Sequence, residues 1–211
     1  MRIAGLPLLA LLLCHASAAS SADANPAASY DELLAKLQSG DTAIDYQALR
    51  FAYAETPNFD PLARPAVDKG ELVRAVNAGD LGEALSLANI ILANNYTDMD
   101  AHYASFIVYD QRGDQAKADF HRAIVQGLLK SLADSGDGMS ENSGIVVVAT
   151  AEEYSFLGFK GYRVVRQGMA KSETGPVDAF AVTTYDNQGA TIYFDLRHII
   201  AKMRPSGDPR P

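Results

Sequence analysis

The sequence predicts an α+β fold: an N-terminal array of about six helices, then a small, mainly antiparallel sheet with one short helix. Three observations predict it. Residues 29–133 carry apolar side chains at helical spacing, in runs opened by Ser, Thr or Asp and often closed by Gly. The character then changes at "DSGDGMSENSG". Beyond it, β-branched and aromatic residues gather in short runs: "IVVVAT", "YRVVRQ", "AFAVTTY" and "TIYFDL".

The helices follow from caps and stripes. Ser29 with Glu32 forms a capping box, Tyr30, Leu33, Leu34 and Leu37 mark one face, and Gly40 ends the helix. A second helix follows Asp45, with Tyr46, Leu49 and Tyr53 on one side, and "TPNFDP" breaks it. Asp68 with Glu71 opens a third, whose stripe is Leu72, Val73 and Val76. Gly79 closes that helix and Asp80 caps the next, which buries Ala84, Leu85, Ala88, Ile91 and Leu92. Thr97, with Asp100, is expected to cap a fifth helix reaching about Tyr109. Gly113 ends it, and Asp114 caps a long sixth helix to about Leu132.

The two Gly-Asp pairs stand 34 residues apart, each a hinge between antiparallel helices. That period, with Ala84 and Ala118 five places after each Gly, resembles tetratricopeptide repeats over residues 69–132. The family's usual Trp and repeat-ending Pro are absent, and "NNYTD" stands where the Pro belongs. Two such units need other packing partners, which the first two helices and the C-terminal part supply.

In the second part, Ile145 to Thr150 reads as a strand. Thr150 is expected to cap a short helix to about Leu157, with Glu153 completing the cap. Strands follow at 162–167, 179–185 and 191–196, the last two joined by a turn at "YDNQGA". Residues 134–203 are thus expected to pack as an α+β region on the helical region 29–133, with 204–211 a disordered Pro-rich tail.

The N-terminus predicts export. Arg2, the apolar run Ile3 to Leu13 and the small residues of "CHASAAS" form a signal peptide over residues 1–19, cleaved after Ala18 or Ala19, with 20–28 a flexible lead-in. The run is shorter than the ~20 residues a permanent span needs, so no integral membrane span is expected. Cys14 is the sole cysteine, and cleavage removes it, leaving no disulfide and no thiolate. Lipid anchoring through Cys14 is not expected, because Leu13 occupies the place where a small residue belongs. The expected location is periplasmic or extracellular. A net charge of −8 without a Lys/Arg cluster argues against nucleic acid as a partner. "NYT" at Asn95 is a glycosylation sequon that matters only in a eukaryotic secretory pathway.

Few residues suggest chemistry. His102 and His121 lie equidistant from the turn before Gly113, so antiparallel packing of two helices brings them to one level. Two imidazoles with a carboxylate could bind zinc or act as acid and base. His121 also sits on the apolar stripe of Ala118, Val125, Leu128 and Leu132, where a core histidine belongs. Asp134, Asp137 and Glu141, with Ser140 and Asn142, offer calcium-type oxygens without the EF-hand spacing, and a helix-to-strand turn uses the same residue types. No cofactor is expected, with zinc or calcium as alternatives. Glu152 and Glu153 are neighbours on a helix and so point apart. Ser135, Ser140 and Ser143 lack a nucleophile elbow, and no phosphate-binding loop occurs. Tyr30, Tyr46, Tyr53, Tyr96, Tyr103 and Tyr109 suit either helix packing or a partner groove.

The stretches "IDYQALRFAYAETPNFDP", "AHYASFIVYDQRGDQAKADFHRAIVQGLL", "SGDGMS" and "EEYSFLGFKGYRVVRQ" together resemble the uncharacterised bacterial family called domain of unknown function 4919, in order and spacing over residues 30–200. The resemblance implies an exported protein and carries over no site residues. The expected function is a soluble module that binds another exported protein or peptide, the alternative being a hydrolase or metal-dependent enzyme using His102 and His121.

Overall fold

A computed structural model describes residues 29–57, 59–63 and 67–203. The expected signal peptide, lead-in and disordered tail fall on residues outside those described. Six helices come first: α1 Tyr30–Gln38, α2 Tyr46–Ala54, α3 Lys69–Ala78, α4 Leu81–Asn94, α5 Met99–Gln111 and α6 Gln115–Ala133. Then come β1 Ile145–Val146, α7 Thr150–Phe159, β2 Arg163–Ser172, β3 Gly175–Thr183, β4 Gly189–Asp195 and α8 Arg197–Met203. The fold is α+β. Among the described residues, no helix is long and apolar enough to cross a membrane.

Local chemistry sets most helix ends. The Ser29 hydroxyl accepts from Glu32 N–H while the Glu32 carboxylate accepts from Ser29 N–H, completing the capping box. Asp45, Asp68, Asp80 and Asp114 cap α2, α3, α4 and α6 by accepting backbone N–H bonds. Gly79 and Gly113 take φ of 70° and 74°, a left-handed turn that Gly enters without a Cβ clash.

Four expectations are corrected. Asp98, not Thr97, caps α5 by accepting from Ala101 N–H at 2.9 Å, while Thr97 bonds back to the Asn95 side chain. Ala149, without a side-chain bond, stands at the N-cap of α7, so neither Thr150 nor Glu153 caps it. Val73 is exposed, and α3 buries Leu72 and Ala75 instead. The strand expected over 145–150 stops at Val146. Its physical reason is side-chain competition: the Val146 carbonyl accepts from the Arg50 guanidinium, and Val148 N–H donates to Glu152. Helix α8 was not anticipated.

The sheet runs in the order β1-β4-β3-β2. β2, β3 and β4 are antiparallel neighbours, and β1 joins β4 in parallel. The hydrophobic core does not divide where the helices end. Leu33, Leu37, Leu49, Ile124, Leu128 and Leu132 share one cluster with Phe156, Phe180 and Phe194. Helices α3, α4 and α5 form a second cluster around Leu72, Ala88, Ile91 and Val108. Tyr96 packs against both. Gly127 lets α2 approach α6 closely, since a Cβ there would meet the Tyr46 ring at 2.2 Å.

At the junction of the two parts lies a buried ion pair. Arg50, 1% exposed, holds Glu152 through Nε at 2.7 Å and Nη2 at 2.9 Å. It also donates to the Val146 carbonyl and the Ser131 hydroxyl. Breaking such a pair from one side leaves an uncompensated buried charge. Arg50→Met should therefore lower the unfolding free energy in urea by about 3–5 kcal/mol. Adding Glu152→Leu should restore part of that loss, because the stranded carboxylate goes, although Val148 N–H stays without its acceptor.

Candidate functional site

Helices α5 and α6 form an antiparallel hairpin through Arg112, Gly113 and Asp114. That geometry sets His102 and His121 face to face, with their Nδ1 atoms 2.8 Å apart. The tautomers then follow from hydrogen-bond chemistry. His102 Nε2 lies 3.0 Å from the Tyr96 carbonyl, which only accepts, so Nε2 carries the proton. His102 Nδ1 is consequently the acceptor, and His121 Nδ1–H donates to it. His121 Nε2 is left as an unprotonated acceptor, with no bond to any group among the described residues.

The pair is built to stay neutral. His102 is fully buried. Burial, then the neighbouring His121, brings its pKa down to about 3, against a smaller opposing effect of the Tyr96 carbonyl. Burial brings His121 down to about 4. The Tyr96 ring stands edge-on to His102, and Tyr109 stacks on His121 at 5.6 Å. His121 opens onto a cleft of about 680 Å³ between α1, α2 and α4. Tyr30, Tyr53, Asp31, Gln38, Asn89 and Asn94 contribute to its walls. Tyr30 and Tyr53 pack together at 5.4 Å, and burial raises the Tyr30 pKa to about 12, so it remains a neutral donor.

The other tyrosines lie elsewhere. Tyr46 packs on α6 and donates to the Thr42 carbonyl, and Tyr103 stacks edge-on with Phe159.

The oxygen-rich loop serves its own backbone. Asp134 sits at the end of α6, paired with Lys130. Asp137 accepts from Met139 N–H and from the Ser143 hydroxyl, bonds that hold its carboxyl below the usual range. Glu141 is exposed in a 3-10 turn, and Asn142 accepts from Glu173 N–H. Only Asp137, Ser140 and Ser143 are brought together. Among the described residues, no three His, Cys, Asp or Glu side chains are grouped to hold a metal ion.

Two features were missed from sequence. The first joins Lys69 of α3, Asp98 and Asp100 at the start of α5, and Ser155 of α7. The Lys69 ammonium contacts both carboxylates, and Ser155 donates to Asp100 at 2.8 Å. Burial opposes the Lys69 charge, but Asp98 and Asp100 outweigh it and hold its pKa above the usual value. Lys69, Asp100 and Ser155 line a second cleft of about 640 Å³, together with Leu62, Val67, Ala151 and Tyr154. No local signal links residues so far apart in sequence.

The second is Glu153. It is fully buried, and among the described residues neither carboxyl oxygen has a hydrogen-bond partner. Burial, then Asp178, then Glu152, push its pKa up to about 9, so it is a neutral acid at pH 7. Asp178, itself raised by burial, is held by Gln167. The neighbouring glutamates do point apart, Glu152 to Arg50 and Glu153 toward Asp178.

The family model described as Domain of unknown function (DUF4919) matches residues 18–204 of the 211. The chain belongs to that family. No curated protein and no solved structure matches it.

Two pH effects of opposite sign follow. A histidine with a depressed folded pKa contributes stability that is present above the unfolded value of 6.5 and is lost as pH falls toward 3. His102 alone should cost about 2 kcal/mol between pH 7 and pH 5. His102→Gln should flatten that limb in chemical denaturation, even though it is less stable at pH 7. A carboxyl with a raised folded pKa acts the other way: its contribution is present below the unfolded value of 4.5 and is lost as pH rises toward about 9. Glu153→Leu should therefore raise stability at pH 7 by about 3 kcal/mol and remove the decline across that range.

Proposed function

We propose that this family member is an exported interaction module that takes a partner protein or peptide in the cleft between α1, α2 and α4. One observation carries the reading. The locked tautomers of His102 and His121 leave a fixed acceptor, His121 Nε2, at a cleft rich in tyrosine and amide side chains. A neutral ring with both neighbours specified suits recognition of an N–H or O–H donor, and aromatic walls with a few convergent polar groups suit a binding surface. The Gly79-Asp80 and Gly113-Asp114 junctions support a tetratricopeptide-like helical part, an architecture used for docking partners. Export rests on the signal-like residues 1–19.

The test is a substitution that spares the pair. In His121→Asn, the side-chain amide keeps a donor for His102 Nδ1 and removes Nε2. A partner captured from the exported fraction and identified should bind this variant about tenfold more weakly, the equivalent of one hydrogen bond. Unchanged affinity with an unchanged melting temperature would remove the cleft from the reading. Hydrolysis of an ester or amide panel, abolished by the same substitution, would replace the interaction reading with a hydrolase that uses His121 as base.

A further inference from the structure

Among the described residues, strand β2 stands at the edge of the sheet, paired with β3 on one side only. It is ten residues long, and eight of the ten are exposed. Val165 and Met169 are 66% and 70% exposed. An edge of this length presents a row of unpaired backbone donors and acceptors, a template for another strand. Its charge is the reverse of the chain's. Arg163, Arg166 and Lys171 lie within it and no acid does, while the chain carries −8 overall.

The register shows what lies beside that edge on the solvent face. Gly168 pairs with Ala179, and Ala179 with Tyr193. Arg166 pairs with Ala181, and Ala181 with Thr191. Gly168, Ala179 and Ala181 keep the middle of this face low, and a shallow groove of about 370 Å³ lies over them, bounded by Arg166 and Tyr193. Gly168 has no side chain to fill it from the edge. A strand added to β2 would lay a large side chain across Gly168, as aromatic residues do beside edge glycines.

We propose that β2 is a docking edge for an acidic, extended peptide segment of a partner, which adds as a fifth strand and seats one large apolar side chain in the groove over Gly168, Ala179 and Ala181. The charge chooses the occupant. Two copies of this chain paired edge to edge would set Arg166 and Lys171 of each against a strand without acids, and like charges across a pair are destabilising. The same cations favour a strand whose side chains beside them are carboxylates. The register shift between Val164 and Arg166 bends one end of the edge and leaves Arg166 to Ser172 regular for pairing. This surface shares no residue with the histidine cleft, so either can fail alone.

The test uses the full chain and two labelled peptides in fluorescence anisotropy at low salt. One is acetyl-Glu-Thr-Val-Phe-Val-Glu-Thr-amide carrying the label, which in antiparallel register sets Phe across Gly168 and its two Glu beside Lys171 and Arg166. The other has Lys in place of both Glu. The acidic peptide should bind at least tenfold more tightly, and Arg166→Glu with Lys171→Glu should reverse the order. A Cβ at Gly168 meets no atom within 4 Å, so Gly168→Val keeps the fold while it covers the groove. That variant should bind the acidic peptide at least fivefold more weakly at an unchanged melting temperature. Backbone amides of β2 should exchange more slowly in the complex. Absence of binding, equal binding of the two peptides, indifference to Gly168→Val, or unprotected β2 amides would each overturn the proposal.

Discussion

The ion pair between Arg50 and Glu152 is the constraint from which the rest of the arrangement follows. Two charges in a low-dielectric interior are tolerable only when their remaining donors and acceptors are satisfied as well. Arg50 therefore draws in Ser131 of α6 and the Val146 carbonyl, and Glu152 draws in Val148 N–H. Four segments that lie far apart in sequence are fixed by one cluster: α2, α6, the end of β1 and α7. The same cluster limits β1, because side chains take the Val146 carbonyl and Val148 N–H and leave only Val147 N–H to reach the Asp195 carbonyl. Phe156 and Phe180 then meet Phe194 edge-on, so that α7 and the sheet close over the core begun by α1, α2 and α6.

Anchoring α7 through Glu152 has a consequence at the next residue. Consecutive helical side chains diverge by about 100°, so the helix that presents Glu152 to Arg50 must turn Glu153 toward β3. There it finds Asp178, already held by Gln167, and no donor. Protonation resolves the conflict at neutral pH by leaving a neutral acid in place of an unpaired charge. The histidine pair has the inverse character, with its neutral form favoured by burial and by the closeness of the two rings, against a smaller opposing effect of the Tyr96 carbonyl. The folded state is thus disfavoured by protonation of the histidine pair and by deprotonation of Glu153.

What the sequence revealed was local, and what it hid was distant. Asp45, Asp68, Asp80 and Asp114 are legible because a cap acts on N–H groups two or three residues away. "TDMD" is ambiguous by the same logic, since Thr97, Asp98 and Asp100 all qualify and only tertiary packing selects Asp98. The meeting of His102 with His121 was legible because the symmetry of a hairpin is a sequence property. The cluster of Lys69, Asp100 and Ser155, the pairing of Arg50 with Glu152 and the stranding of Glu153 are not, since each depends on where α7 lands. Even the neighbour rule that separates Glu152 from Glu153 gave their divergence without their destinations.

The charge of the chain shows the same division between local cause and surface outcome. A balance of −8 suggests a uniformly acidic molecule. Yet Asp45, Asp68, Asp80, Asp98 and Asp114 are all N-caps, where a carboxylate complements the helix dipole and satisfies exposed N–H groups. Part of the acidity is therefore architectural, placed where five helices begin, and says little about partners. Strand β2 has no helix to cap, and its charge is free to describe its surroundings. A basic, exposed edge on an acidic chain repels its own copy and accepts acidic strands. Net charge describes the molecule as a whole, but partner selectivity has to be read surface by surface.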